Sequence, residues 1–422
     1  MTHKTDIAIV GAGPAGVSAA LKLERMGIPS VLIDKASFPR SKVCGDAIGA
    51  RAIWALNKVD EKIIESFRKR NDIKLDCWGM KIGFSNGKTV TGSFPKPFPQ
   101  LDVARDKASA FICPRYDFDN FLVDRVRDKK RISLWENKSV KKYEYDGKGY
   151  HLFDGDGNKL LKAKLLLIAD GANSTFVKKN LRRNLNSKQY MAATRGYFSG
   201  VKGFDEFNIL ELHFIREATP GYFWIFPSKD GSANVGLAMR ADHAKKRKIN
   251  LNKLFLEIIR TNSNFSERFT ESEQLTKFQG GILPVSDTGH SISGDNYLLL
   301  GDAARLADPF SGEGISNAIM SGVFAGEVAA ESLRRKDCSA RFLKSYDRKV
   351  FDELSNEFAS SLKLCKIMSV PEITNPMANL VGSERLGRII TMMYNDVNMR
   401  NKMLKPGYII QKLLRKAFST RD

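Results

Sequence analysis

The stretch Asp6-Ile-Ala-Ile-Val-Gly-Ala-Gly-Pro-Ala-Gly16 joins a short apolar segment to a glycine-rich turn. An apolar run of this kind predicts a strand buried in a parallel sheet. A helix is predicted over 17–26, and a second apolar strand over 28–33 ends at Asp34. Strand, turn, helix, strand and acid follow one another within about thirty residues, which is typical of a dinucleotide-binding unit. The alternative is a plain βαβ unit with a glycine turn.

Each part of the turn has a physical role in holding a pyrophosphate. Gly11 allows the tight turn out of the strand, Gly13 lets the backbone approach the phosphates, and Gly16 lets the helix pack closely on the sheet. The N–H groups and positive dipole at the helix start attract the phosphates. Asp34 accepts hydrogen bonds from a ribose 2′-OH and disfavours a 2′-phosphate. The neighbouring contacts predicted for the cofactor are Pro14, Ala15 and Lys35.

Length and composition limit the class of protein. The chain has 422 residues, which at roughly 150 residues per domain suggests two or three structural units. It is 42% hydrophobic and 27% charged, which excludes a collagen, a wholly disordered chain and a multispan membrane protein. No run approaches the roughly 20 apolar residues that cross a bilayer, and no signal-peptide core precedes the first strand. The five cysteines are scattered without a CxxC pair, which favours a reducing, cytoplasmic location.

The chain is strongly basic. Its 68 Lys and Arg residues against 47 Asp and Glu give a net charge of +21. Nucleic acid, an anionic membrane surface and acidic small molecules are the candidate partners for such a charge. Nucleic acid ranks last because no zinc-finger, helix-turn-helix or RNP-type pattern accompanies the charge. For the run Lys245-Lys-Arg-Lys248, a solvated surface is the favoured interpretation.

Two later segments each place glycine and aspartate at the end of a buried strand. The strand over 164–169 ends in Asp170-Gly171, and the strand over 297–300 ends in Gly301-Asp302 before a long helix over 314–333. Residues 190–240 alternate and are rich in aromatic side chains, which predicts antiparallel sheet. Both strand ends are expected to return to the sheet that begins at residue 6, because ligands collect at the carboxyl ends of such strands. The nucleotide-binding domain is therefore expected to be discontinuous, with the antiparallel sheet inserted into it.

Together these motifs resemble the flavoprotein fold of para-hydroxybenzoate hydroxylase. That resemblance rests on the first glycine motif, Arg115 before Asp117-Phe-Asp119, Asp170-Gly171, and Gly301-Asp302 with Pro309. Within that fold the chain looks most like the geranylgeranyl reductase family. The stretches that carry this second resemblance are Lys42-Val-Cys-Gly-Asp-Ala-Ile48, Pro220-Gly-Tyr-Phe-Trp-Ile-Phe-Pro227, and the segment from Gly301 through Gly312-Glu-Gly-Ile315 to Ser321-Gly322.

The resemblance implies FAD as the cofactor. Asp302 matches the acid that binds the ribityl chain, and Arg115 matches an arginine that reaches the phosphate and ribityl region. Gly312 and Gly314 precede a helix whose positive start would face the N1/C2=O edge of the flavin, which gains negative charge on reduction. The other cofactor contacts that the resemblance implies are Cys44, Gly45, Asp46, Val140, Asp170, Gly301, Pro309 and Ile315.

The expected fold is α/β, or α+β overall, in three parts. A discontinuous Rossmann-like FAD-binding domain comprises 1–76, 100–178 and 280–335. An antiparallel-sheet substrate domain comprises 77–99 and 179–279, and a helical, basic C-terminal region comprises 336–422. Two residues depart from the family pattern. Ala169 stands where glycine often precedes Asp170, which weakens the case for nicotinamide binding, and Arg305 stands where many relatives have another residue.

The activity that the resemblance implies is hydrogenation of isolated C=C bonds in an isoprenoid or other polyunsaturated lipid. Such a bond is not polarised by a carbonyl, so we expect a proton donor, a dry apolar tunnel and hydride from reduced flavin. Cys44 is the candidate acid, with a small buried thiol as the alternative. Tyr222 and Trp224 are candidates for the tunnel wall, with ordinary sheet core as the alternative. The five histidines form no ligand pattern, so no metal site is predicted.

Several functions stay open on the sequence. The leading hypothesis is an FAD-dependent reductase, and its first rival is an FAD-dependent monooxygenase that uses NAD(P)H and oxygen. A flavin halogenase is disfavoured because Phe223-Trp-Ile-Phe-Pro227 stands in place of Trp-x-Trp-x-Ile-Pro. A non-catalytic flavin-binding membrane-associated protein is the rival from another class. The electron donor, NADPH or another reductant, is open because no second glycine motif occurs, and so are the substrate and the oligomeric state.

The basic tail offers a route to a membrane. From Asn401 to Asp422 it carries six basic residues and one acid, and the segment 408–418 is amphipathic. A helix of this kind is expected to lie on an anionic membrane and give access to a lipid substrate, which would place the protein peripherally on the inner membrane face. The alternative is a helix packed on the body of the protein.

Overall fold

A computed structural model of the chain describes residues 3–94, 108–286 and 289–370. The expected amphipathic helix over 408–418 and the rest of the basic tail lie outside the described residues. The strands, numbered along the chain, are β1 His3–Val10, β2 Ser30–Ile33, β3 Ala47–Ile48, β4 Leu75–Cys77, β5 Gly79–Phe84, β6 Thr89–Ser93, β7 Ala110–Ile112, β8 Ile132–Trp135, β9 Lys142–Tyr145, β10 Tyr150–Phe153, β11 Lys159–Ile168, β12 Tyr190–Ser199, β13 Leu210–Phe214, β14 Gly221–Pro227, β15 Ala233–Arg240, β16 Glu273–Gln274, β17 Gln279–Pro284, β18 Ser293–Gly294 and β19 Tyr297–Leu299. The helices are α1 Pro14–Arg25, α2 Ala50–Val59, α3 Glu61–Arg68, α4 Arg115–Arg127, α5 Thr175–Lys179, α6 Ala241–Lys246, α7 Leu251–Thr261, α8 Ser266–Phe269, α9 Ile315–Arg335 and α10 Ala340–Met368.

The first sheet contains the strand that opens the chain. Its order is β18-β19-β11-β1-β2-β8, and β1 runs parallel to both β11 and β2. β11 also pairs in parallel with β19, so two sequence-distant strands return to this sheet as predicted. Ile7, Ala8 and Ile9 are fully buried, as expected for a central strand of a parallel sheet. The α/β fold class is confirmed, while the domain boundaries stay predictions.

Helices α1 and α9 pack side by side through very small residues. A Cβ at Gly322 would lie 2.3 Å from the carbonyl oxygen of Ala15, and a Cβ at Gly326 would lie 3.0 Å from the Lys22 side chain. Real Cβ contacts are longer than 3 Å, so only glycine permits this approach at 322. The two helices run in the same direction, and α9 begins about 10 Å, or two turns, before its contact with Ala15. Both helix starts therefore lie at the same end of the sheet.

The second sheet is the inserted one. Its order is β16-β12-β15-β14-β13-β5-β6, with β17 also on β12, and its pairs are antiparallel apart from β13 with β5. The alternation predicted from its aromatic residues is observed. Phe223 and Ile225 pack with Phe255 of α7 on one face, while Tyr222 and Trp224 face the other. β17 carries the sheet to Pro284, past the boundary at 279 that the sequence suggested.

Two short helices lie in the segment 35–76, where the sequence indicated no single element. Asp60 ends α2, because its backbone is extended with φ −165° and ψ 125°. It also begins α3, because its side chain accepts from the Lys62 N–H. Ile53, Leu56 and Phe67 are buried. The break at Asp60 divides the apolar pattern into two pieces shorter than the window of about 11–18 residues in which helical periodicity is read.

The described part of the C-terminal region is one long helix, α10, packed on the first sheet. The buried Tyr346 hydroxyl donates to the carbonyl oxygen of Leu299 at 2.8 Å. The Asp347 carboxylate accepts from the N–H of Ile292 at 3.2 Å and from the Ser291 hydroxyl at 3.1 Å. Helical structure beyond residue 341 is thus confirmed as far as Met368.

We expect Gly322→Leu to lower the free energy of unfolding by about 3 kcal/mol, the upper part of the usual cost of overpacking a tight core. The reason is the 2.3 Å approach of a Cβ at 322 to the Ala15 carbonyl oxygen. Denaturant unfolding measures the change. Gly155→Leu is the control, because the nearest atom to its Cβ position lies 3.8 Å away in the Lys141 side chain. Equal stability of the two variants would contradict the close helix contact.

Candidate functional site

The start of α1 is an open, positively polarised end. Within the described residues no side chain caps α1 at Gly13, and the first turn holds no acid. In the part of the chain that the structure describes, the one atom within 4 Å of a Cβ position at Gly13 belongs to the Arg40 guanidinium, 3.5 Å away. Arg40 is fixed by an ion pair with Asp119 at 3.2 Å and by its position over the Phe38 ring. Unpaired helix N–H groups facing an arginine form a site suited to a pyrophosphate.

Asp34 lies beside this helix start at the end of β2. It is 7% exposed, and its two carboxylate oxygens accept from the N–H groups of Ala12 at 2.7 Å and Ala36 at 2.9 Å. An ionised carboxylate has about four acceptor positions, so each oxygen keeps one for a ribose hydroxyl. Next to it, Lys35 is exposed and Val140 is buried in the main core.

The glycine and aspartate motifs after β11 and β19 meet the first turn. A Cβ at Gly11 would lie 2.9 Å from the backbone nitrogen of Asp170, and a Cβ at Gly301 would lie 3.4 Å from the Ala15 side chain. Asp170 accepts from the Thr175 N–H at 3.0 Å, and burial raises the pKa of its carboxyl. Asp302 is partly exposed, with Lys42 Nζ 3.6 Å from one carboxylate oxygen.

The loop before α9 is held from two sides. Asp308 accepts from the N–H groups of Phe310 and Ser311 and from the Ser361 hydroxyl of α10. From the inserted sheet, the Tyr222 hydroxyl donates to the carbonyl oxygen of Ser311 at 2.6 Å. Gly312 has φ +69°, and a Cβ there would lie 2.6 Å from that hydroxyl.

The residues that end this loop complete the second helix start. Gly314 precedes Ile315, the first residue of α9, and no side chain of the described region caps it. Pro309 lies on the α10 side, where its carbonyl oxygen accepts from Cys365 Sγ at 3.1 Å. FAD fits this arrangement, because two uncapped helix starts, a ribose acceptor and glycine-lined turns lie at one edge of one sheet.

The segment with Cys44 lies between the two sheets. Cys44 and Gly45 are partly exposed, whereas Asp46 is 1% exposed and has φ +67°. The Asp46 carboxylate, predicted to contact the cofactor, accepts from the hydroxyl of Tyr197, from Asn234 Nδ2 at 2.6 Å and from the Arg115 N–H at 3.3 Å. Burial raises the pKa of Asp46 against these hydrogen bonds. Its observed partners are therefore protein groups.

Arg115 is fixed by a bidentate ion pair. Its guanidinium donates to the two carboxylate oxygens of Asp119 at 2.6 and 2.8 Å, and both side chains are buried. Burial acts to lower the pKa of Arg115, but the Asp119 carboxylate and the neighbouring Cys44 thiol outweigh it, so the pKa is raised. The arginine predicted to reach the cofactor therefore also lies beside the predicted acid.

A small apolar cavity of about 20 Å³ lies against the loop before α9. It is lined by Met191, Phe214, Pro220, Gly221, Tyr222, Arg240, Pro309, Phe310, Cys365, Met368 and Ser369. Phe214 and Phe310 stack in parallel with ring centroids 5.2 Å apart. Tyr222, predicted as tunnel wall, lines the cavity, and Trp224 follows on the same face of β14 with centroids 6.1 Å apart.

Three residues of this site were not singled out in the sequence: Arg40, Tyr197 and Asn234. Arg40 and its partner Asp119 are 79 positions apart in the chain. Tyr197 and Asn234 lie 151 and 188 positions after their common partner Asp46. Local periodicity carries no signal for such pairs. Within the described residues, no group of three metal-ligating side chains occurs, and no helix is long and apolar enough to cross a bilayer.

The comparisons with known proteins agree with this geometry. Residues 4–352 match the model of the FAD binding domain family, and the chain belongs to that family. It is 30% identical over 369 residues to the digeranylgeranylglycerophospholipid reductase of Methanocaldococcus jannaschii, covering 86% of each chain. It is 28% identical over 376 residues to the menaquinone reductase of Mycobacterium tuberculosis, covering 87% of this chain and 84% of that one.

A solved structure shares the fold over nearly the whole chain. The geranylgeranyl bacteriochlorophyll reductase-like protein of Thermoplasma acidophilum superposes with a TM-score of 0.77 at 19% identity, covering 95% of this chain and 98% of that one. The predicted resemblance to the geranylgeranyl reductase family is confirmed, and the chain is an FAD-dependent oxidoreductase. The individual cofactor contacts stay predictions.

We expect Gly13→Val to weaken FAD binding at least about tenfold, the equivalent of about 1.4 kcal/mol. Gly13 has φ −76°, which any residue adopts, and its Cβ would enter open space in front of Arg40. The apoprotein should therefore fold normally while the valine occupies the place of the phosphates. Flavin absorbance of the purified protein and denaturant unfolding of the apoprotein measure the two effects. A full flavin content in this variant would remove the start of α1 from the cofactor site.

Proposed function

We propose that this protein hydrogenates C=C bonds in the isoprenoid chain of a lipid. The observation that carries the proposal is the apolar cavity whose wall residue, Tyr222, is hydrogen-bonded to the loop at the start of α9. The cavity has a volume of only about 20 Å³, so its lining side chains must move apart to admit a long apolar substrate, whose double bond would then reach the flavin edge. The relatives support the same class of acceptor, since two of them are named for a geranylgeranyl phospholipid and for menaquinone.

The residues of this chain supply the proton and the environment. Reduced FAD, when bound, supplies hydride to one carbon of the double bond. The Cys44 thiol gives its proton to the other carbon and becomes a thiolate, which the Arg115 guanidinium beside it stabilises. Solvent then restores the thiol proton. The sum is one hydride and one proton added to each double bond, with an external reductant returning the electrons.

The aromatic face of β14 excludes water from the place where the hydride and the proton are transferred. Tyr222, Trp224 and Phe226 are all less than 9% exposed and lie in one apolar cluster. Burial holds the pKa of Tyr222 well above its ordinary value, so the phenol stays neutral and keeps its hydrogen bond to Ser311. Exclusion of water prevents loss of hydride to solvent and favours proton transfer from the positioned thiol.

The test of the function is anaerobic turnover. The FAD-loaded protein is reduced with dithionite and mixed with digeranylgeranylglycerophospholipid or with menaquinone in the absence of oxygen. The proposal predicts flavin reoxidation by at least one of these lipids and a product heavier by two hydrogens for each reduced bond. Reoxidation only by oxygen, with a hydroxylated product, would establish the monooxygenase instead.

Cys44→Ala is expected to lower kcat about 10²- to 10⁴-fold, the usual contribution of a positioned general acid, without loss of FAD. Cys44→Ser should behave similarly, because a hydroxyl is a far weaker acid than a thiol. Single-turnover reoxidation by lipid measures the rate. Cys338→Ala is the matched control, since that thiol is partly buried against Ser332 at 3.1 Å. If Cys44→Ala reoxidises as fast as the control, Cys44 is not the proton donor.

We also propose that the protein meets its lipid at an anionic membrane surface, through the basic run at the end of α6. Arg240 lines the apolar cavity and α6 follows it directly. At the other end, Arg247 donates to the carbonyl oxygen of Thr219, the neighbour of the lining residue Pro220. Residues 245–248 are all exposed. Cations around the opening of an apolar cavity favour an anionic lipid surface over the solvated surface that the sequence alone favoured.

Reversing Lys245, Lys246 and Lys248 to Glu should weaken binding to vesicles of phosphatidylcholine with phosphatidylglycerol by about 100-fold or more, since each lysine near such a surface contributes about 1 kcal/mol. The matched control reverses Lys141, Lys178 and Lys179, which are exposed on the first-sheet side. Vesicle sedimentation at low and high salt measures the binding. Equal losses in the two triple variants would show a general charge effect and no membrane face at α6.

A further inference from the structure

Asn234 on β15 joins two segments that the sequence separates by nearly two hundred residues. It is fully buried. Its Nδ2 donates to the carbonyl oxygen of Cys44 at 2.9 Å and to the Asp46 carboxylate at 2.6 Å, while its Oδ1 accepts from the Trp224 indole N–H at 3.0 Å. One amide therefore binds the backbone of the predicted acid and the side chain of the predicted tunnel wall.

The orientation of this amide is determined by its partners. The indole N–H is only a donor, and the Cys44 carbonyl is only an acceptor. The reverse orientation would place donor against donor at the indole and acceptor against acceptor at the Cys44 carbonyl. The hydrogen-bond partners of Asn234 therefore determine which side of its amide carries the oxygen and which carries the nitrogen.

Both segments are also confined by glycines at the contact. A Cβ at Gly45 would lie 3.1 Å from the Phe226 ring and 3.4 Å from the Trp224 indole nitrogen. A Cβ at Gly236 would lie 2.0 Å from the Trp224 ring, so that ring lies flat on the backbone of β15. The loop with Cys44 therefore rests directly on the aromatic face, with no room for either to move toward the other.

Asp46 connects the amide to the rest of the protein. Besides Asn234, the groups that face its carboxyl are Tyr197 and Arg195 of β12, the start of α4 at Arg115, and the Cys113 thiol. The Asp46 carbonyl oxygen also accepts from the Cys113 N–H at 2.9 Å. These partners come from both the nucleotide-binding part of the protein and the inserted sheet. A change at Asn234 is therefore expected to alter the position of one part relative to the other.

We infer that Asn234 is a positioning residue that fixes Cys44 relative to Trp224. The inference rests on the proposed function, in which Cys44 gives the proton and Trp224 lies along the path of the isoprenoid chain of the substrate. The Asn234 amide sets the distance between the Cys44 thiol and the Trp224 ring, which lies beside the double bond of the substrate. A displacement of about 1 Å at such a site can cost roughly 100-fold in rate.

The first test is Asn234→Asp, which keeps the shape and replaces the donor by an acceptor. We expect FAD to be retained, kcat with lipid to fall about 10- to 100-fold, and KM to change little. Lowering the pH should restore part of the activity, because the introduced carboxyl and the Asp46 carboxyl then share a proton and one hydrogen bond re-forms. Asn252→Asp is the control, since the Asn252 side chain accepts from the Thr194 hydroxyl, and a carboxylate accepts equally well.

The second test reads the position of Cys44 without turnover. The rate of Cys44 alkylation by iodoacetamide, followed by peptide mass mapping, should change at least threefold in Asn234→Asp and stay constant in Asn252→Asp. This measurement does not need Cys44 to be the acid, so the positioning role and the proposed function can fail separately. An unchanged alkylation rate would overturn the positioning role, whatever the turnover shows.

The third test is a double-mutant cycle with Trp224→Phe, which removes the indole N–H together with part of the ring that packs on β15 at Gly236. If the three groups act as a unit, the double variant is no slower than the slower single variant, because each change breaks the same arrangement. Rate losses that multiply, or a loss seen in KM alone, would show that Asn234 and Trp224 act independently and would overturn the inference.

Discussion

The contact between α1 and α9 is the constraint on which the rest of the site depends. Gly322 lies against the Ala15 backbone, and Gly301 lies between the side chains of Ala15 and Ala318. Because these positions lack side chains, α1 and α9, which are far apart in the sequence, run together at backbone distance. Their uncapped starts then lie at the carboxyl end of one parallel sheet, where a dinucleotide with two ends can be bound by both.

The inserted sheet is tied to this site by a small number of buried polar contacts. Tyr222 binds the loop before α9 through the Ser311 carbonyl, and Asn234 binds the loop that carries Cys44. Apolar packing alone would hold the two parts together without fixing their relative position, since it is not directional. Hydrogen bonds with buried, otherwise unsatisfied groups are directional and costly to break. These hydrogen bonds fix the aromatic face of β14 beside the loop before α9 and the loop that carries Cys44.

Much of this arrangement could be predicted from the sequence, because its signals are local. The apolar run before Gly11, the glycine spacing and the acid at the end of β2 lie within one short stretch, and the strand ends at Asp170 and Gly301 repeat the same physical pattern. The strands β11 and β19 return to the predicted sheet. The aromatic alternation in β14 likewise predicted which side chains share a face.

Most pairings inside the site could not be predicted, because they join distant residues of unremarkable local context. Asp119 follows Arg115 by four positions in α4, a spacing at which ion pairs form, but only the fold shows that it also binds Arg40. Asn234 is one polar residue in an apolar strand, and only the fold shows that it meets Cys44 and Trp224. The cofactor contact of Asp46 stays a prediction, and the sequence did not show that its carboxylate binds Tyr197, Asn234 and the Arg115 backbone.

The most direct measurement is a crystal structure of the protein purified with FAD. We predict one FAD per chain, with the pyrophosphate at the first turn of α1 beside Arg40 and the pyrimidine edge of the ring at the start of α9. Cys44 and the face of β14 with Tyr222 are expected to lie on the open side of the ring. A flavin bound to only one of the two helix starts, or bound away from both, would contradict this prediction.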